Sequence, residues 1–305
     1  MTVFREKGIY SAENQFIKME VLAVSLYAFA DEKRMPESKV YAADLDRDGT
    51  PEERKKDFYC PSPNCTARMR LRSKSVHCAC FFALDGHSAS CMYGHLGTYD
   101  PNDYNEKKFD FENAVMALKA VKKPSEAKLP IKAKENSKMV HQGPEPPKTL
   151  NEILLMLKNH DCHDVIGGKK VGDMLLDDRS MEEFGENFFG YRVVEAKFPS
   201  DWFYTKRPAL KDLDRLQFIP FEKQIPYLSA LHLVLESDLR QFRFDVYFRD
   251  VGIFREVIKK IWGGEGKTEP KYRFAVVASH WRQTSEDEKR YATIVTSSKQ
   301  IITFK

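Results

Sequence analysis

The sequence predicts an α+β protein in two parts, a metal-stabilised amino-terminal module and a small carboxy-terminal β-barrel. Three observations predict it. Five of the six cysteines and two of the eight histidines gather in residues 59–94. Residues 121–149 hold seven Lys and five Pro but no Phe, Tyr or Trp, so they cannot bury a core and read as a flexible linker. From Phe188 onward, short β-type runs follow one another with a single helical run between them. The divisions are therefore 1–120, 121–149 and 150–305.

Composition narrows the class. With 42% hydrophobic and 31% charged residues, the chain reads as a soluble globular protein. Its net charge is only +4, so any surface for a polyanion must be local. The longest apolar run, residues 21–30, is too short for a membrane span and contains Ser25. The first residues carry no secretory apolar region. The expectation is a cytoplasmic protein with no membrane partner. Thiols stay reduced there, and clustered cysteines favour a metal over disulfides.

Taken in order, residues 11–34 predict a helix. Ser11 can cap it, and Phe16, Met19, Leu22, Leu26 and Phe29 follow at three- and four-residue steps. Residues 40–43 read as a short strand. Asp44-Leu45-Asp46-Arg47-Asp48-Gly49 matches the first half of a calcium loop, but its twelfth position, which needs a bidentate Glu, is Lys55. It therefore reads as an acidic, solvated turn.

Next come the metal candidates. Cys60 and Cys65 flank Pro61-Ser62-Pro63-Asn64, a turn that can bring two thiolates onto one cation. Residues 68–71 and 81–83 read as strands, with a turn at Asp85-Gly86. His87 and Cys91 follow at a four-residue step, which would put both on one face of a helical turn. The expected set is Cys60, Cys65, His87 and Cys91. Three thiolates and one imidazole close a tetrahedron with no open position, as structural Zn²⁺ requires. Cys78, Cys80, His77 and His95 compete for these roles. Cys78 and Cys80 sit two apart on an apparent strand, a step that seldom suits a tetrahedral pair. They read as reduced, buried or half-buried thiols.

This pattern, Tyr59-Cys60…Cys65, a strand, Phe81-Phe82-Ala83, then His87…Cys91, resembles the amino-terminal zinc-binding segment of CoiA-like competence proteins and of related bacterial zinc-finger proteins. The resemblance covers residues 38–95, and its first cysteine pair is spaced by four residues, wider than a CxxC pair. It implies a setting in DNA processing.

Residues 105–120 predict a short helix. Thr149 and Glu152 form a capping-box pattern ahead of a helix over 153–157. His160, Cys162 and His163 lack a partner pair at metal-binding distance and read as a loop. Gly167-Gly168 marks a turn. Strand candidates follow at 191–198, 216–221, 231–236, 242–248, 273–280, 291–296 and 300–304, the last two as a hairpin over Ser297-Ser298-Lys299. A helix at 254–262 interrupts them. Strands, one helix, then more strands is the order of an OB-fold barrel.

Two functional expectations live in this half. OB barrels bind single strands with basic grooves and stacked aromatics, and Tyr247, Arg249, Trp281 and Arg282 are the candidates for such a surface. Alternation places Phe244 on the core face and Tyr247 on the other. Separately, Glu195-Ala196-Lys197 on an apolar strand resembles the second half of a PD-(D/E)xK nuclease motif. There, Asp178 (or Asp177) and Glu195 would hold Mg²⁺ and Lys197 would support the charge. The intervening MEEFGENFFG does not read as a return strand. The leading expectation is a zinc-containing protein that binds nucleic acid, single strands favoured, within a DNA-processing or defence assembly. The alternatives are a Mg²⁺-dependent nuclease and a protein–protein adaptor.

Overall fold

The computed structural model describes residues 24–75, 78–89, 91–119, 143–185, 189–199, 204–205, 229–237, 239–262, 273–285 and 289–304. Its first sheet opens with β1 (Val24–Ser25) and β2 (Tyr27–Phe29). These are strands, not the second half of the expected helix; residues 11–23 lie outside the described residues. Val24 pairs with Phe82 and Tyr27 with Tyr41. A short apolar run fits either period, and cross-strand pairing decides between them.

β3 (Lys39–Tyr41) passes directly into α1 (Ala42–Asp48). The acidic stretch is thus helical rather than a turn, with Arg47 paired to Asp44 and Asp48. α2 (Pro51–Arg54) starts on a Thr50–Glu53 capping box. Then come β4 (Phe58–Tyr59), β5 (Arg68–Arg72) and β6 (Cys80–Ala83). The curled, antiparallel sheet has the order β1-β6-β5-β4-β2-β3, and α3 (Phe111–Lys119) follows it.

α4 (Leu150–Lys158) carries the expected Thr149–Glu152 capping box. β7 (Val165–Ile166) and β8 (Lys169–Lys170) form a hairpin over Gly167 and Gly168, both at positive φ. A Cβ on Gly167 would lie 1.9 Å from the Phe109 carbonyl oxygen, so only glycine fits. α5 (Val171–Met174), β9 (Leu175–Leu176) and α6 (Met181–Phe184) complete this stretch.

The second sheet is built from β10 (Gly190–Lys197), β11 (Tyr204–Thr205), β12 (Ser229–Glu236), β13 (Gln241–Phe248), β14 (Phe274–Ser285), β15 (Arg290–Val295) and β16 (Ile301–Phe304). α7 (Val251–Trp262) lies between β13 and β14. Five strands close a ring in the order β10-β12-β13-β15-β14, and β10 meets β12 again at Lys197 and Val234. β13 and β15 run parallel; the other ring pairs are antiparallel. The strand expected at 216–221 lies outside the described residues.

The expected hairpin of the last two strands does not form. β15 and β16 pair with different stretches of β14 instead. Ser297 and Gln300 make a capping box, and the buried Gln300 amide donates to the Ala278 carbonyl, which turns the chain away from β15.

The ring's interior holds Val194, Ala196, Leu233, Phe244, Val277 and Trp281, and α7 adds Phe254, Val257 and Ile261. The opposite faces of β10 and β14 present Val193, Phe274, Val276 and Ala278 to a second core. That core also contains Ala28, Phe81 and Tyr93 of the first half and Leu154 and Leu157 of α4. β10 is therefore buried on both faces from Arg192 to Ala196, and that burial takes in the charged Arg192 and Glu195 along with Val193, Val194 and Ala196. One hydrophobic cluster thus includes residues from both sides of the Lys/Pro stretch.

Candidate metal centre and acidic cleft

The metal candidates meet where the first sheet ends its hairpins. Cys60 follows β4, and its N–H donates to the Ala67 carbonyl at 3.1 Å. Cys65 closes the Pro-rich turn, donating to Ser62 at 3.1 Å. Gly86, at φ +78, turns the chain after β6 toward His87. The backbone at His87 is not helical; helical geometry starts only after Cys91, at Met92–Gly94. The shared helical face expected for this pair is therefore absent, and a turn closed by Cys91 N–H on Ser88 does the same work.

The ligand atoms of Cys60, Cys65, His87 and Cys91 all lie within 4.8 Å of one another. Cys60 Sγ is 3.7 Å from Cys91 Sγ, and His87 Nδ1 is 3.5 Å from both Cys65 Sγ and Cys91 Sγ. A disulfide would need about 2.05 Å. A tetrahedral zinc with Zn–S near 2.3 Å and Zn–N near 2.05 Å has S···S edges of about 3.8 Å and S···N edges of about 3.6 Å. The Cys60–Cys91, Cys65–His87 and Cys91–His87 edges have those dimensions, and the four groups could hold a metal ion.

The three thiols are strongly coupled to one another. The thiols of Cys60 and Cys91 share protons with Cys65, which holds its sulfur far below the usual thiol range. Burial pushes Cys60 up. Three sulfurs this close cannot all become thiolates without a positive centre. Arg34 braces the turn from behind: its Nε donates to the Cys60 carbonyl at 2.8 Å, and Nη2 reaches the Cys65 carbonyl. Arg34 itself sits at φ +55, a backbone position seldom taken by a residue with a side chain.

The competing residues fall outside. Cys80 pairs with Arg72 in the sheet, and Cys78 is half-buried with its thiol donating to the Tyr99 carbonyl. His95 is not in the cluster, and His77 lies outside the described residues. His160 pairs with Glu106 and Asp164, and His163 with Asp161 and Glu183. Those pairings give both imidazoles a use in the loop.

A second polar site adjoins the metal loop. Asp178, Glu195 and Lys197 line one cleft together with Asn64 and Glu236, with an interior of about 20 Å³, room for one water-sized group. Leu176 pairs with Val194, so Asp177 and Asp178 emerge beside Glu195. β9 runs parallel to β10, and α6 stands where a return strand would be.

The ammonium that faces these carboxylates is Lys158, not Lys197. Lys158 Nζ, fully buried, lies 2.9 Å from Asp177, 3.0 Å from Glu195 and 3.9 Å from Asp178. Lys197 instead lies over the Phe274 ring, 5.9 Å from its centre. Arg179 bonds Asp177 at 2.7 Å and also reaches the hydroxyls of Tyr27 and Tyr93. Burial works against the Asp177 anion, but Arg179 and Lys158 outweigh it and hold its pKa below the ordinary carboxylate range. Burial dominates at Glu195 and lifts it to about 7. Lys158 was legible in principle. In α4, Ile153 to Lys158 are all buried, and a helix that is apolar all round carries its charged end inside as well.

The barrel candidates divide. Trp281 is fully buried inside the ring, donates its Nε1 proton to the Arg192 carbonyl and packs edge-on against Phe244. Alternation along β14 places it with Ala275 and Val277, so it is core and not a stacking platform. Tyr247 lies on the face opposite Phe244, as expected, yet is also buried. Arg249 is exposed and Arg282 half-buried. Asp245, on the Tyr247 face, accepts from His232 Nδ1 at 2.7 Å and Arg290 Nε at 2.6 Å. These partners hold its pKa below the usual range despite burial.

Among the described residues, no helix is long and apolar enough to cross a membrane. No protein-family model, curated protein or solved structure matches the chain, so these comparisons identify neither a CoiA-like nor an OB-fold relationship.

Proposed function

We propose that this chain is a zinc-stabilised nucleic-acid-binding protein whose binding part is an OB-like barrel. The ring order carries the reading. Counting β10, β12, β13, β14 and β15 as strands one to five, the ring runs 1-2-3-5-4 and returns to 1, with a helix between three and four. That is the Greek-key order of OB barrels. Zinc suits the three sulfurs and one nitrogen of the metal cluster, which leave no position for substrate, so its role is structural.

The aromatic platform expected on the barrel is not part of this proposal, because Trp281 and Tyr247 are buried. Affinity would rest on phosphate contacts from Arg243 and Arg249, both exposed, and from Arg282. A second reading, a Mg²⁺-dependent nuclease, is favoured by one observation: Asp178, Glu195 and Lys197 line one cleft. Asp178 and Glu195 would hold the ion, and the ion would activate water.

One experiment addresses both. Labelled single-stranded DNA and RNA are titrated across a salt series without added divalent ions, then incubated with Mg²⁺ or Mn²⁺. Binding is expected to weaken with salt by about 0.7 log units per log unit for each phosphate contact. The triple variant R243A/R249A/R282A should flatten that slope by about 2. No binding at low salt would sink the first reading. Cleavage lost in Glu195→Gln would support the second, and absence of cleavage by the unmodified protein would end it. A stoichiometric protein partner with no nucleic acid would point to an adaptor.

A further inference from the structure

The loop that carries two metal ligands is also a wall of the acidic cleft. Ser62, between Cys60 and Cys65, is buried, and its hydroxyl donates to Asp178 Oδ2 at 2.5 Å. Asn64, next to Cys65, lines the cleft. The second ligand pair makes a similar reach. Tyr93, two residues after Cys91, stacks on His87 with 6.3 Å between ring centres. The Lys158 ammonium lies 5.0 Å from the centre of that same ring. The Tyr93 hydroxyl donates to the Lys158 carbonyl at 2.6 Å and accepts from Arg179 at 3.0 Å.

The two ligand turns thus reach two different charged groups, Ser62 the cleft-lining Asp178 and Tyr93 the buried Lys158 that pairs with Glu195 behind it. Ser62 reaches the carboxylate that faces the solvent side, since the Asp178 side chain is 16% exposed while those of Asp177 and Lys158 are fully buried. The Ser62 and Tyr93 contacts require the two ligand turns to be closed, and closing them is what a shared metal ion does.

We infer that the metal centre positions the acidic cleft: Ser62 and Tyr93 are positioning residues that hold Asp178 and Lys158 in place while Cys60, Cys65, His87 and Cys91 share a metal. The inference rests on the metal reading and not on cleavage. Coupling of this kind is reciprocal. If the metal orders Asp178 through Ser62, then Asp178 tightens the metal by the same factor. A hydrogen bond to a charged group sets that factor at about 10-fold.

Two measurements on the full chain test this. In the first, amide hydrogen exchange of the unmodified protein is compared with zinc bound and after stripping. Exchange is expected to rise in residues 59–66 and also in 175–181, while 241–248, on the far side of the ring, stays protected. In the second, zinc affinity is measured by chelator competition for the unmodified chain, Ser62→Ala, Asp178→Asn and the double variant. Each single change should weaken zinc about 10-fold, and the double change should weaken it no further than either single one. Glu256→Gln, in an exposed pair with Lys260 on α7, should leave zinc affinity unchanged. Additive effects in the cycle, or protection at 175–181 that ignores the metal, overturn the inference. If stripping unfolds the whole chain, the cycle decides. A chain that takes up no zinc at all refutes the metal reading, a different result from zinc bound without coupling.

Discussion

Cys91→Ala is expected to release the metal and to melt the amino-terminal sheet. Its sulfur lies 3.7 Å from Cys60 Sγ and 3.5 Å from His87 Nδ1, and its loss removes one corner of the tetrahedron with all three edges that meet there. A structural zinc contributes on the order of 10 kcal/mol of apparent binding energy at neutral pH. A domain is stable by only about 5–15 kcal/mol in total. The sheet cannot lose most of that sum and persist, because its strands are only two to five residues long. Metal content and thermal unfolding followed by circular dichroism read the outcome. Cys80→Ala is the control: that thiol is equally buried but outside the cluster, so the variant should keep its zinc and lose only the cost of a small core change. A Cys91→Ala protein that keeps both its zinc and its melting temperature would refute the assignment.

The second large effect is expected at Lys158. Removing its ammonium by Lys158→Ala leaves Asp177 and Glu195 facing each other without their shared cation. Breaking a buried ion pair on one side costs about 3–5 kcal/mol, and denaturant midpoints at neutral pH measure it. The pH dependence gives a sharper signature. In the folded protein burial lifts Glu195 to about 7, above its ordinary 4.5. The folded state therefore holds a proton that the unfolded chain has released. The corresponding stability is fully present below pH 4.5 and is lost as pH rises through about 7. Glu195→Gln has no proton to lose. Its stability relative to the unmodified protein should climb across that window and level off above it. In Lys158→Ala the missing ammonium raises Glu195 further, so the loss should extend above pH 7. A difference curve between Glu195→Gln and the unmodified protein that is flat from pH 4.5 to 8 would show that Glu195 is ionised throughout.

How much of this could be read beforehand follows from the range of the forces involved. The meeting of Cys60, Cys65, His87 and Cys91 in one cluster was legible because metal chemistry fixes residue type, and few sequences gather five cysteines in 36 positions by accident. The Thr149 cap and the strands of the ring were legible because capping and alternation are local. The amino-terminal strands were not. Val24 to Phe29 satisfies both periods, and its choice depends on Phe81, Phe82, Tyr41 and Tyr59, partners that no local pattern reveals. Trp281 was misjudged for a related reason. Aromatics beside arginines suit a binding surface or a barrel lining equally well, and only the register against β10 and β15 fixes which face is inside. In the acidic cleft the local pattern brings Asp178, Glu195 and Lys197 to one lining, but it does not reveal the ammonium that pairs with the carboxylates. The actual ammonium comes from a helix 37 residues earlier, brought in by tertiary packing.

The most direct test of the metal centre is X-ray absorption at the zinc edge, with metal stoichiometry, on protein produced with ample zinc. The expected result is one zinc per chain, with three sulfurs near 2.3 Å and one nitrogen near 2.0–2.1 Å. Zinc far below one equivalent, or a shell dominated by oxygen, would contradict it.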